Sequence, residues 1–98
     1  MDGSQAMNFR FTKHSLEKAF QRNIPPFECE QAFNRGEITE SYPLDNPYPS
    51  ELRLAKINGR FLHIVTSSDG PNIHVITVYE PDLERWESDF KTRRRQTS

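Results

Sequence analysis

The chain has 98 residues, 34% of them hydrophobic, and sets 13 Lys and Arg against 14 Asp and Glu for a formal charge of −1. That length holds one small core and no second domain, so any cleft is shallow or completed by a partner. The charge excludes a global attraction to nucleic acid or membrane, no apolar run reaches the roughly 18 residues of a membrane span, and the lone Cys29 has no internal disulfide partner. A cytoplasmic setting is the expectation.

The opening "MDGSQAM" has neither the basic nor the apolar region of a signal peptide and reads as a disordered leader, native or left by cloning, over residues 1–7. A single domain over 8–90 and a basic tail over 91–98 complete the division. "NFRFT" alternates Phe9 and Phe11 with polar residues, as a first edge strand does. Thr12 then suits an N-cap, and "KHSLEKAFQRN" sets Leu16, Ala19, Phe20 and Ile24 at helical spacing. In "IPPFECEQAFNRGE" a second helix starts at Pro26, carries Phe27, Cys29, Ala32 and Phe33 as its apolar stripe, and stops at Gly36 as a C′ residue.

Strands follow. "EITESY" is one, closed by "PLDNPYPS", whose three prolines make a stiff loop. Asn58-Gly59 and Asp69-Gly70 are hairpin turns that join three antiparallel strands ending at Tyr79. Beyond Pro81, Leu83, Trp86 and Phe90 fall at i, i+3 and i+7, which predicts a closing helix capped by Asp82. The order β-α-α-β-β-β-β-α predicts an α+β domain: a small antiparallel sheet with two N-terminal helices packed on it. Two-residue turns put Ile57 opposite Arg60, Leu54 opposite His63, His63 opposite Ile76 and Arg60 opposite Tyr79. Arg53, Arg60, Thr77 and Tyr79 then gather at the edge of one face, and both faces are apolar enough at the centre to need cover.

Cys29, His14, His63 and His74 show no metal-ligand spacing, so no metal and no cofactor is expected. Cys29 lies on an apolar stripe and reads as a buried structural residue. His14 stands in the first turn of the first helix beside Lys13, an imidazole fit to accept a proton, or simply a polar residue packing under the leader. His63 sits mid-strand among apolar neighbours, as satisfied core histidines do. Tyr79 ends its strand just before Glu80-Pro81. Metal-free RNA cleavage needs a base for the 2′-hydroxyl, an acid for the leaving oxygen and cations for the phosphate, roles that His, Tyr and Arg fill. The charges are also segregated: residues 8 to 35 hold five basic and three acidic residues, residues 80 to 90 hold five acidic and one basic, and "KTRRR" follows.

At "FTKHSLEKAFQRNI", "NRGEITESYP", "NGRFLHIVTS" and "HVITVYEPDLERWESDFKTRR" the chain resembles the domain-of-unknown-function 4258 family of small bacterial and archaeal proteins. That family is similar in topology to the RelE and ParE toxin superfamily, and members are often encoded beside a small antitoxin-like protein. The resemblance implies a RelE/ParE toxin-like fold, with the helix-one histidine at His14, the hairpin histidine at His63 and the strand-ending tyrosine at Tyr79. Lys18 and Arg22 match basic positions of the first helix, whereas Phe20 stands where the family has another cation.

The expected function is a toxin-like protein of a toxin-antitoxin pair with endoribonuclease activity. His14, Tyr79, Arg53, Arg60 and His63 would carry the chemistry, and Lys13, Lys18 and Arg22 would bind RNA. Expected partners are an antitoxin protein, RNA and a second copy of the chain, with no membrane. The alternative is a non-catalytic interaction module that uses the acidic closing segment and the "PLDNPYPS" loop.

Overall fold

A computed structural model describes residues 7–95; the expected leader therefore falls, apart from Met7, outside the described residues, as do the last three residues of the basic tail. The elements run β1 (Asn8–Phe11), α1 (Lys13–Gln21), α2 (Pro26–Arg35), β2 (Glu37–Tyr42), β3 (Ser50–Ile57), β4 (Arg60–Asp69) and β5 (Asn72–Tyr79). They form an α+β domain whose single sheet has the strand order β1-β5-β4-β3-β2. The sheet is mixed rather than antiparallel, because β1 lies parallel to β5 with Phe9 beside Ile73 and Phe11 beside Val75. The crossover that a parallel pair needs is the whole of α1 through β4.

Helix α1 starts where its chemistry dictates: the Thr12 hydroxyl accepts a hydrogen bond from the Ser15 amide at 3.0 Å. It packs over β5, while α2 packs over β3 and β4. Ala19, Ile24, Cys29 and Ala32 of the helical layer close on Ala55, Ile57, Leu62, Ile64, Val75 and Val78 of the sheet. Phe20 and Phe27, expected in that core, are 65% and 57% exposed. Each helix needs only a narrow stripe against the sheet, so the smaller Ala19 and Cys29 take the contact and the phenylalanines fall outside it. Gly36 ends α2 without a left-handed cap, at φ −74°. Its lack of a side chain serves close packing: a Cβ there would lie 2.4 Å from the Ala32 carbonyl oxygen and 2.9 Å from the Arg53 Cβ.

Register explains the rest. The first hairpin turns at Asn58-Gly59 as expected, pairing Ile57 with Arg60 and Leu54 with His63. The second turns at Gly70-Pro71, pairing Asp69 with Asn72, one residue later than expected. Val65 then pairs with Thr77 while Thr66 pairs with Val75, which leaves Ile76 as the extra residue of a β-bulge. The two shifts together place Tyr79 opposite His63, not Arg60. Val78 joins the helix-covered face, and Thr77 and Tyr79 move to the other one.

The second face is also covered, but not by a helix. After Asp82, whose carboxylate caps the amides of Glu84 and Arg85, the chain makes one turn and folds back. Glu87 and Arg94 donate backbone hydrogen bonds to Thr92 and Arg85, Trp86 and Arg93 form a bridge, and Phe90 adopts φ +55°. The expected closing helix is thus a short strap. Asp89 accepts from the amides of Lys91 and Thr92, a local turn that competes with helical bonding, and Trp86 and Phe90 spend their rings on the sheet. Leu83, the third member of the expected stripe, is exposed. No helix among the described residues is long and apolar enough to cross a membrane.

Candidate functional site

Where β5 ends, the strap and the last turn of α1 leave a cleft of about 680 Å³. Tyr79 and Thr77 form its floor, Arg22 its α1 side, and Trp86, Arg85 and Arg93 its strap side, with Glu80 and Asp82 at the rim. Behind the floor sits His63, with no exposed surface. Its Nε2 lies 2.7 Å from the Phe90 carbonyl oxygen and its Nδ1 lies 3.2 Å from the Tyr79 hydroxyl. A carbonyl can only accept, so Nε2 carries the proton, and Nδ1 accepts from the Tyr79 O–H. The left-handed turn at Phe90, costly for a residue with a Cβ, is what aims that carbonyl at the imidazole.

Packing holds this relay rigid. The His63 ring meets Trp86 edge-on at 4.4 Å between centroids and Tyr79 at 5.3 Å. Burial pushes the His63 imidazole below its ordinary value, the Phe90 carbonyl and Glu40 opposing it, so the ring is neutral near pH 7. Burial also raises the Tyr79 hydroxyl, which stays protonated. Because that proton points at His63, a lone pair of the phenol faces the cleft.

The cations differ in how fully they are paired. Arg22 donates to the Val78 carbonyl at 2.9 Å and to the Thr77 hydroxyl at 3.3 Å, neutral acceptors that leave its charge uncompensated by them. Arg85 is 83% exposed and only 3.9 Å from Asp82. Arg93 lies 4.6 Å over the Trp86 ring and makes a two-pronged bond to Glu40, at 3.1 and 3.0 Å, with the Tyr42 hydroxyl bonded to the same carboxylate. Lys91 pairs with Glu37 at 3.0 Å. Both tail residues thus fasten the strap to β2.

The structure brings Tyr79, His63 and Arg22 together and leaves other expected site residues elsewhere. Arg60 bonds Glu28 at 2.7 Å and Glu80 at 3.0 Å, and the Asn23 carbonyl at 2.5 Å. Arg53 pairs with Glu51, donates to Thr66 and lies 4.1 Å over Phe33, on the helix-covered face. His14 and Lys13 are exposed at the start of α1. Eight residues separate His14 from Arg22, about 12 Å along a helix. His14, Lys18 and Arg22 do share one side of α1, since they recur every four residues.

Arg85, Arg93, Trp86 and the Phe90 carbonyl were not foreseen as site members. The signal for them was the segregation of acidic and basic residues after Glu80, which folds back on itself. Cys29 is buried, its thiol pushed up to about 11 by burial and out of use as a nucleophile at neutral pH. Among the described residues no three His, Cys, Asp or Glu side chains form a metal-ligand group.

A family described as Domain of unknown function (DUF4258) matches residues 11–80. Those residues include α1, His63 and Tyr79 and stop where the strap begins. No curated protein and no solved structure matches the chain.

Proposed function

Given that the chain belongs to the family described as Domain of unknown function (DUF4258), whose description assigns no activity, we propose that it is a toxin-like protein that cleaves RNA without a metal, partnered by an antitoxin. The observation that carries the reading is the Tyr79–His63–Phe90 relay opening into a cleft rimmed by arginines. A 2′-hydroxyl proton passes to the Tyr79 oxygen as the phenolic proton passes to His63 Nδ1. The imidazolium so formed keeps its other proton on Nε2, donated to the Phe90 carbonyl. The 2′-oxygen attacks the adjacent phosphorus, Arg22 and Arg85 take up the charge on the phosphate oxygens, and the 5′-oxygen leaves with a proton from water, His63 afterwards returning its extra proton through Tyr79 to the hydroxide so formed. His14 and Lys18 continue the line of Arg22 along α1 at steps of about 6 Å, a track for the strand's backbone, with Lys13 beside it. The two helices on one face of the sheet also suit the RelE/ParE-like arrangement.

The test is cleavage of RNA by the purified protein in EDTA, read together with growth arrest on expression. Tyr79→Phe keeps the ring and is expected to lower the cleavage rate by a factor on the order of 10² or more. Arg60→Ala, on the other face, leaves the rate within a few fold. Full activity in Tyr79→Phe would overturn the site.

A second reading, a non-catalytic interaction module, is favoured by one observation: Arg93 and Arg85 already have carboxylate partners within the chain. It predicts no cleavage by the wild type and loss of a protein partner when 91–98 are deleted.

A further inference from the structure

A second cleft, of about 410 Å³, lies near the other end of β5, between the loop 43–49 and the central strands. Its walls combine Pro47, Tyr48 and Ile76 with the polar Asp45, Ser67 and His74. The Tyr48 and His74 rings are within 8° of parallel with centroids 6.4 Å apart, near the far limit for an aromatic pair. Their overlap is therefore small, and much of each face is left for another ring. His74 Nε2 is cut off from solvent and has no hydrogen-bond partner among the described residues. Buried polar atoms are rarely left so, and the ring that carries this one lines the cleft. The loop is tied to the sheet by Ser50, buried, which donates to the Asp45 carboxylate at 2.5 Å.

Parallel aromatic faces with a carboxylate and a hydroxyl in one cleft suit a flat heterocycle with polar edges. We propose that this cleft binds a purine or pyrimidine base, stacked on Tyr48 and His74 with its edge toward Ser67 and Asp45. A sheet-bound polar patch lined by no Lys or Arg reads the base rather than the phosphate. The bulge at Ile76 gives the site its meaning: without it, His74 and Tyr79, five residues apart, would face opposite sides of the sheet. With it they share a face, opposite Ser67 and His63 and so about 13 Å apart along the strand. A strand whose phosphate sits at Tyr79 then offers a base two or three nucleotides away to Tyr48. That last consequence rests on the ribonuclease reading, whereas base binding does not.

The test has two arms on the full chain. In the first, NMR follows the Tyr48 and His74 rings during titration with AMP, GMP, CMP and UMP, and with ribose 5-phosphate as the base-free control. At least one nucleotide is expected to shift both rings while the control does not, and Tyr48→Ala, at an exposed position, to weaken that binding about tenfold or more. Shifts equal with ribose 5-phosphate, or unchanged affinity in Tyr48→Ala, overturn the proposal. In the second, short oligoribonucleotides are titrated and any cleavage sites mapped. Loss of base preference in Tyr48→Ala with the rate retained assigns the site to the RNA strand; binding of mononucleotides alone assigns it to a free nucleotide. If bases bind but the wild type cleaves nothing, the inference stands and the ribonuclease reading falls; cleavage with no base binding at Tyr48 has the opposite result.

Discussion

The two faces of the sheet are covered in different ways, one by two helices and the other by the strap. Under α1 and α2 lies an apolar layer with Arg60 closed on Glu28 and Arg53 on Glu51 at the rim. Under the strap lies a histidine with both nitrogens engaged, a phenol and a tryptophan, and the pairs that hold the strap end at solvent clefts. The first face pairs its charged groups with one another. The second leaves a phenol lone pair and two weakly paired arginines at a cleft. That difference is why function is placed on the strap side.

The largest test of this contrast compares two buried residues. Ile64→Ala, under the helices, is expected to cost about 2–5 kcal/mol of global stability by urea unfolding. Trp86→Ala removes a larger side chain, 2% exposed, worth about 3–5 kcal/mol in a closed core. Its loss is expected to appear mainly as lost hydrogen-exchange protection of the strap amides at positions 86 and 87, with α1 and α2 still protected. Equal falls of the urea midpoint in both variants would make the faces one cooperative unit and break the contrast.

Arg60→Ala sharpens it from the rim. Glu28, buried, would be left without its main partner at a cost of roughly 1–3 kcal/mol, with RNA cleavage retained. The Arg60 hydrogen bond, and after it that of Asn58, holds the Glu28 carboxyl below its ordinary value of 4.5. The unfolded chain therefore binds the proton more readily, and this contribution is present above pH 4.5 and lost as pH falls through the folded value. Urea midpoints measured from pH 7 to 3 should fall less steeply in Arg60→Ala.

The strap side has its own pH signature. Burial lowers the His63 imidazole below 6.5, so folding with a neutral ring is undisturbed above that pH and is opposed as pH falls toward the folded value. Trp86, the single tryptophan, touches that ring, and its fluorescence should change on acidification with a midpoint below 6.5. His63→Gln should abolish the change; its persistence would detach the signal from His63. The smallest effect is expected at Thr12→Ala, which removes the α1 cap for about 1 kcal/mol in thermal unfolding and leaves the strap untouched.

Much of the fold was legible in the residues because its signals are local. Thr12 caps α1, Asn58-Gly59 turns the first hairpin, Glu37–Tyr42 is a strand and "PLDNPYPS" is a loop, each decided by the backbone preferences of a few neighbours. Of the candidate site, Tyr79 and His63 were nameable as a strand end and a mid-strand histidine, but their contact was not.

Three things were settled only by tertiary structure. Gly70-Pro71 rather than Asp69-Gly70 forms the turn, and Ile76 bulges, because the strand has to keep both Val75 and Val78 in the helix-side core. Local pattern carries no count of which residues oppose which, and a one-residue slip reverses every side chain beyond it. The segment after Asp82 has a helical pattern of apolar residues yet forms a strap, since Trp86 and Phe90 gain more by covering His63 and Phe61 than by sharing a helix stripe. β1 pairs with β5 across 60 residues, a contact that only the assembled helical layer brings into reach. Composition and local chemistry determined the elements; the competition for two buried faces decided which tyrosine meets which histidine.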